Sequence, residues 1–183
     1  MIVCAGHIEQ FSFAHSIGIG LIDSAISLTR LCLASPPSHL LFVGSAGSYG
    51  EFPLLAPCVA TAAKSIESGA LTQSVYSPLT LSIQHFSPFV SRETFPEVVV
   101  NSSNYITADK GLSGLYAQEG LHIENMEFYA VLAVAKQFNI PAFGLFVTTN
   151  YCCADAHKTF IANHQAAKIA LENLVMTHFK DLA

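Results

Sequence analysis

Residues 40–47 read Leu-Leu-Phe-Val-Gly-Ser-Ala-Gly. Four apolar residues in succession, without polar alternation, suit a strand buried on both faces, as in a parallel sheet covered by helices. The small residues Gly44, Ser45, Ala46 and Gly47 are expected to end that strand in a loop. Their size lets backbone N–H groups approach an anion closely, and the Ser45 hydroxyl adds a donor, so the segment is a candidate site for phosphate or ribose oxygens. A tight turn explains the same glycines without any ligand.

Working outward, residues 2–5 form a second short apolar run closed by Gly6, and residues 16–20 read as another strand end punctuated by glycine. Over residues 21–33, Leu21, Ala25, Leu28 and Cys32 recur at helical spacing until Ser35-Pro36-Pro37-Ser38 stops the helix. Residues 53–96 lack a clear period and read as mostly β and irregular, with strand-like runs at 58–66 and 79–83. Val98-Val99-Val100 begins another strand that passes through residues 101–107 into a helix over 108–119. Residues 125–138 are apolar on nearly every side, 141–147 form a final buried strand running into Thr148-Thr149-Asn150, and 156–179 carry an amphipathic helix. Strands alternating with helices predict one α/β domain over residues 1–183, with a mostly parallel central sheet flanked by helices. Ligands of such sheets bind beyond the carboxyl ends of strands, which selects the loops at 18–23, 44–49 and 148–151.

Composition narrows the partner. Hydrophobic residues make up 51% of the 183 residues and charged residues 11%, so few charges are available to cover a monomer, and a homo-oligomer is expected. Asp23, Arg30, Glu127 and Lys136 interrupt the most apolar stretches, which argues against a spanning helix. The net charge of −5 and the lack of a Lys/Arg cluster argue against nucleic acid and leave a small molecule as the expected ligand. Five cysteines without Cys-x-x-Cys spacing indicate a reducing cytoplasm, and the first residues lack the features of a signal peptide. The eight histidines are scattered, and no metal-ligand spacing emerges.

Glu127 stands out within the run Met126-Glu127-Phe128-Tyr129-Ala130-Val131. A buried carboxylate needs partners, and vicinal sugar hydroxyls supply two hydrogen bonds. A partly exposed Glu at a helix start, favoured by the helix dipole, accounts for the same residue.

Gly18-Ile19-Gly20 ahead of a helix, Val43-Gly44-Ser45-Ala46-Gly47, Asn125-Met126-Glu127 and Val147-Thr148-Thr149-Asn150 together resemble, in order and spacing, the motifs of the nucleoside phosphorylase-I superfamily. That superfamily holds purine nucleoside phosphorylases, uridine phosphorylases and the methylthioadenosine/S-adenosylhomocysteine nucleosidases. The resemblance implies that Gly20 and the Ser45, Ala46 and Gly47 loop receive phosphate or the attacking water, and that Glu127 holds the ribose hydroxyls. It places Met126 on the ribose, Tyr105 and Ile106 on the base, and Asn150 at the catalytic position that contacts the purine. His164 resembles a histidine at the sugar's 5′ end, although a solvated helix histidine is the simpler explanation. Bacterial relatives commonly place an Asp general acid where Asn150 stands. An amide bridges an oxo group and the adjacent ring nitrogen through its donor and acceptor, so 6-oxopurines are expected.

Two departures from the family pattern bear on the reaction. The position of a phosphate-binding arginine is Phe42, and neither Arg30 nor Arg92 falls on a matching position, though either could reach across from a neighbouring subunit. The amino-terminal part is abbreviated, with Glu9 as the candidate for the catalytic Glu of the nucleosidases. The resemblance implies a purine nucleoside phosphorylase using inorganic phosphate as co-substrate, with no further cofactor. The alternatives are a hydrolase of the methylthioadenosine nucleosidase or futalosine hydrolase type, and a non-catalytic nucleoside-binding relative.

Overall fold

The computed structural model describes residues 1–90 and 94–182. In chain order its principal elements are β1 (Ile2–Cys4), β2 (His15–Ser16), α1 (Gly20–Ala34), β3 (Leu40–Ser48), β4 (Pro57–Lys64), α2 (Ser68–Leu71), β5 (Ser82–Gln84), β6 (Glu97–Asn101), α3 (Lys110–Gln118), β7 (Ile123–Glu124), α4 (Phe128–Phe138), β8 (Ala142–Tyr151) and α5 (Ala156–His178). The strands join in the order β2-β1-β3-β7-β6-β4-β5, and β8 pairs with both β3 and β4. The path β3-β7-β6-β4-β8 therefore returns to β3 and closes a ring, which leaves these strands without a free edge.

Parallel pairing predominates, as expected from alternating strands and helices, but the sheet is mixed. β3 runs antiparallel to β7, and β4 antiparallel to both β5 and β8. The segment read as irregular β contains β4, a central strand whose Pro57 to Ala60 pair with Val147 to Gly144. Its register comes from distant partners, so no local period announces it.

β3 and β8 build both cores. Leu40 and Phe42 point into the layer containing Leu28 of α1 and Phe128, Val131 and Leu132 of α4. Leu41 and Val43 point the other way, towards Ala167, Leu171 and Val175 of α5. This two-residue alternation, with both faces apolar, is the physical content of the unbroken run at 40–43.

The glycines do not end β3. The strand continues through Gly44, Ser45, Ala46 and Gly47 to Ser48, paired with β8 as far as Ser48 to Tyr151. Absence of side chains is what permits the extension: a Cβ on Gly47 would lie 2.9 Å from Cys152 Sγ and 3.1 Å from Asn150 Nδ2. Helix α4 starts at Phe128, whose N–H donates to the Asn125 side chain.

Candidate active site

The carboxyl ends of β1, β3 and β8 open onto a cavity of about 290 Å³, where α/β sheets bind ligands. Beyond β1 the chain reverses at Gly6 and His7, whose φ angles of 101° and 54° are left-handed, and the Glu9 N–H closes the turn onto Gly6 O at 3.0 Å. This turn lays Glu9 over β3. The Ser45 N–H donates to Glu9 Oε1 at 3.1 Å, and the Ser45 hydroxyl donates to the same oxygen. The two donors expected to face an anion are thus already directed at a carboxylate.

Glu127 is the N-cap residue of α4 and is only 4% exposed. Asn125 Oδ1 accepts from the N–H groups of Glu127 (3.1 Å) and Phe128 (3.0 Å), and Asn125 Nδ2 donates to Ser45 O at 3.2 Å. The start of the helix is thereby tied to β3. Glu127 Oε1 accepts from the Gly20 N–H at 2.9 Å. Gly20 has a φ of 82°, and a Cβ there would lie 2.8 Å from Asn104 Oδ1, so a glycine is required. Burial, opposed by the Gly20 hydrogen bond and reinforced by the nearby charge of Glu9, pushes the Glu127 carboxyl up to about 7.

Asn150 owes its place to a β-bulge. Ala46 pairs with Thr148 but Gly47 pairs with Asn150, so Thr149 is the extra residue of β8. Bulges re-aim side chains beside functional sites, and without this one Thr149 would stand opposite Gly47. Asn150 Oδ1 accepts from Thr149 Oγ1 at 3.0 Å, and its Nδ2 donates to Tyr151 O at 3.2 Å. Across Gly47 from Asn150 stands Glu124 of β7, whose Cγ would be 3.1 Å from a Cβ at Gly47. Glu124 Oε1 accepts from the Thr107 N–H at 3.0 Å and Oε2 from the Tyr49 hydroxyl at 3.1 Å. Burial outweighs these hydrogen bonds and raises its carboxyl above the ordinary range.

Of the residues singled out from sequence, Ser45, Ala46, Gly47, Tyr105, Ile106, Met126, Glu127 and Asn150 line this one cavity. Tyr105 and Ile106 are 75% and 58% exposed and form its rim. Gly20 stands behind the wall and acts through Glu127. His164 does not line the cavity: its Nε2 lies 3.1 Å from Ile8 O, bracing the turn that carries Glu9, and His157, one heptad earlier on α5, faces the cavity instead. Glu124, His157 and Phe160 also line it and were not singled out from sequence. Glu124 had a signal, a second carboxylate three residues before Glu127 in the same apolar region. Among the described residues the cavity wall carries no Lys or Arg. Arg30 is exposed on α1, and Arg92 lies outside the described residues. Also among the described residues, no helix is long and apolar enough to cross a membrane.

The model of the phosphorylase superfamily matches residues 2–179, and the chain belongs to that superfamily. Solved structures share its fold. An aspartate-to-asparagine mutant of the Helicobacter pylori methylthioadenosine nucleosidase, with 5′-methylthioadenosine in its active site, superposes with a TM-score of 0.85 at 16% identity, covering 98% of this chain and 97% of that chain. The futalosine hydrolase of H. pylori gives 0.85 at 16% identity over 98% and 96%. The Streptococcus pneumoniae methylthioadenosine/S-adenosylhomocysteine nucleosidase in complex with 8-aminoadenine gives 0.79 at 16% identity over 98% and 97%. No curated protein matches the sequence.

Proposed function

We propose that this protein hydrolyses the N-glycosidic bond of a purine nucleoside, with water rather than phosphate as the nucleophile. The observation that carries the reading is the Glu9 carboxylate held on the Ser45 N–H and hydroxyl. A phosphate drawn to those donors would meet a like charge, with no lysine or arginine on the described wall to offset it. A water meets a hydrogen-bond acceptor. This arrangement favours the hydrolase alternative over the phosphorolysis implied by the sequence motifs, and the nucleosidase names of the structural neighbours agree with it.

In this reading Glu9 accepts a proton from the attacking water as the water oxygen bonds to the anomeric carbon. Glu127 accepts hydrogen bonds from the ribose hydroxyls and stabilises positive charge on the sugar as the bond to the base breaks. Met126 packs on the ribose, while Tyr105 and Ile106 cover the base. Asn150 pairs through its amide with the oxo group and ring N–H of a 6-oxopurine. Self-association belongs to the same reading: exposed Ile22, Ile26 and Leu33 on α1 continue from Ile19 at the cavity wall and suit a second copy of the chain.

The deciding experiment measures base and ribose release from inosine, guanosine, adenosine, 5′-methylthioadenosine and futalosine, with and without inorganic phosphate. Free ribose, or its 5′-substituted counterpart, at a phosphate-independent rate is expected. Strict dependence on phosphate, with ribose 1-phosphate as product, would overturn hydrolysis.

A further inference from the structure

The proposed hydrolysis leaves one chemical requirement unmet. A purine departs as an anion unless a ring nitrogen is protonated, and Asn150, the residue facing the base, is an amide that has no acidic proton to give. We infer that Glu124 is the general acid of this site, donating its proton to the leaving purine from the side of Gly47 opposite Asn150.

Position supports the assignment. Ser45 and Gly47 lie on one face of β3, about 7 Å apart at the rise of an extended strand. Glu9 is bound at the first and Asn150 and Glu124 flank the second. β3 thus spaces two carboxyls along one cavity wall, one for the water and one for the base. Glu124 is partly buried, lines the cavity and is held at both carboxyl oxygens. The Thr107 backbone holds one oxygen, and the Tyr49 hydroxyl holds the other. Tyr49 is itself oriented by Asn101 Nδ2 at 3.3 Å. The titratable groups packed around it, Tyr49, Tyr116 and Cys152, are all raised by burial, and among the described residues no Lys or Arg lines the cavity beside it. Its own upward shift keeps it better protonated than an ordinary carboxyl.

The step balances within the proposed reaction. As the C1′–N9 bond breaks, its electron pair goes to the purine, and the Glu124 proton passes to a ring nitrogen of the base. The water oxygen bonds to C1′ and gives its proton to Glu9. Products leave as neutral base and free sugar, and proton exchange through solvent returns Glu9 to the carboxylate and Glu124 to the acid.

The inference rests on the nucleosidase reading, and the test separates the two. Glu124→Gln and wild type are compared on the purine nucleoside that wild type cleaves best and on 4-nitrophenyl β-D-riboside, whose leaving group needs no proton. Glu124→Gln is expected to lower kcat on the nucleoside at least 100-fold, in the range of general acid catalysis, and on the nitrophenyl riboside less than about fivefold. In wild type, kcat on the nucleoside should fall on the alkaline side while that on the nitrophenyl riboside does not. This wild-type comparison stands even if the variant fails to fold. Equal losses on both substrates, near-normal nucleoside cleavage by the variant, or identical alkaline limbs would overturn the role of Glu124 and leave hydrolysis intact. A wild-type protein that releases no base from any nucleoside would overturn both.

Discussion

One substitution at Glu127 tests both its burial and its proposed hold on the ribose. Its carboxyl ordinarily ionises near 4.5 and is pushed up to about 7 in the folded protein, chiefly by burial. Below pH 4.5 it is protonated whether the chain is folded or not, and it imposes no penalty. Between the two values the unfolded chain releases its proton while the folded chain holds it, so stability falls as pH rises. Above pH 7 the full penalty is present. At about 1.4 kcal/mol per unit of pKa, this is on the order of 3 kcal/mol. Glu127→Gln keeps an oxygen for the Gly20 N–H but carries no charge. At pH 8 it should therefore unfold at a urea concentration roughly 1–2 M above wild type, taking a slope of about 2 kcal/mol/M. At pH 5 the gain should fall to about a quarter of that. The same variant should lose about 100-fold or more in kcat/KM, because charge-assisted hydrogen bonds to two hydroxyls are worth about 1.5–3 kcal/mol each. Urea titrations at the two pH values, with turnover of the best nucleoside, provide the check. A stability difference independent of pH would refute the burial argument, and normal kcat/KM would refute the ribose assignment.

Three further outcomes are expected. Glu9→Gln should lower kcat roughly 10²–10⁴-fold with KM changed only a few-fold, since it removes the base and leaves the sugar contacts; initial rates over a substrate series read both constants, and a change confined to KM would exclude a base. Gly47→Ala should cost about 1–3 kcal/mol of stability through overpacking and also depress kcat/KM, because the new Cβ meets Cys152 Sγ at 2.9 Å and presses on Asn150 and Glu124 at 3.1 Å each; thermal melts and kinetics at one temperature decide it. Asn150→Asp should shift the ratio of adenosine to inosine turnover at least tenfold towards adenosine, which a competition assay with both nucleosides measures; an unchanged ratio would remove Asn150 from base recognition.

Local signals were sufficient for much of the fold. The run at 40–43 reads as a strand buried on two faces because its alternate residues do enter two separate cores, with Phe42 against α4 and Leu41 against α5. Helices α1 and α5 were legible because their apolar spacing lies within each helix, and the prolines that stop α1 follow it directly. Glu127 was legible because a carboxylate in an apolar run is costly wherever the run folds. The strand end at Gly44 was misplaced for the opposite reason. Glycine has little strand preference of its own, and β3 continues only because β8, about 100 residues later, supplies the ladder.

The sequence by itself determined the alternation of strands and helices, the small-residue segment at Ser45 to Gly47, and the carboxylate and amide at Glu127 and Asn150, since these are properties of residue type and short-range spacing. Only the tertiary structure decided that Glu9 reaches Ser45 across 36 residues, that a bulge at Thr149 aims Asn150 at Gly47, and that Glu124 rather than His164 lines the cavity. Those placements depend on pairing between distant strands, whose hydrogen bonds and packing set the register that no local segment can encode.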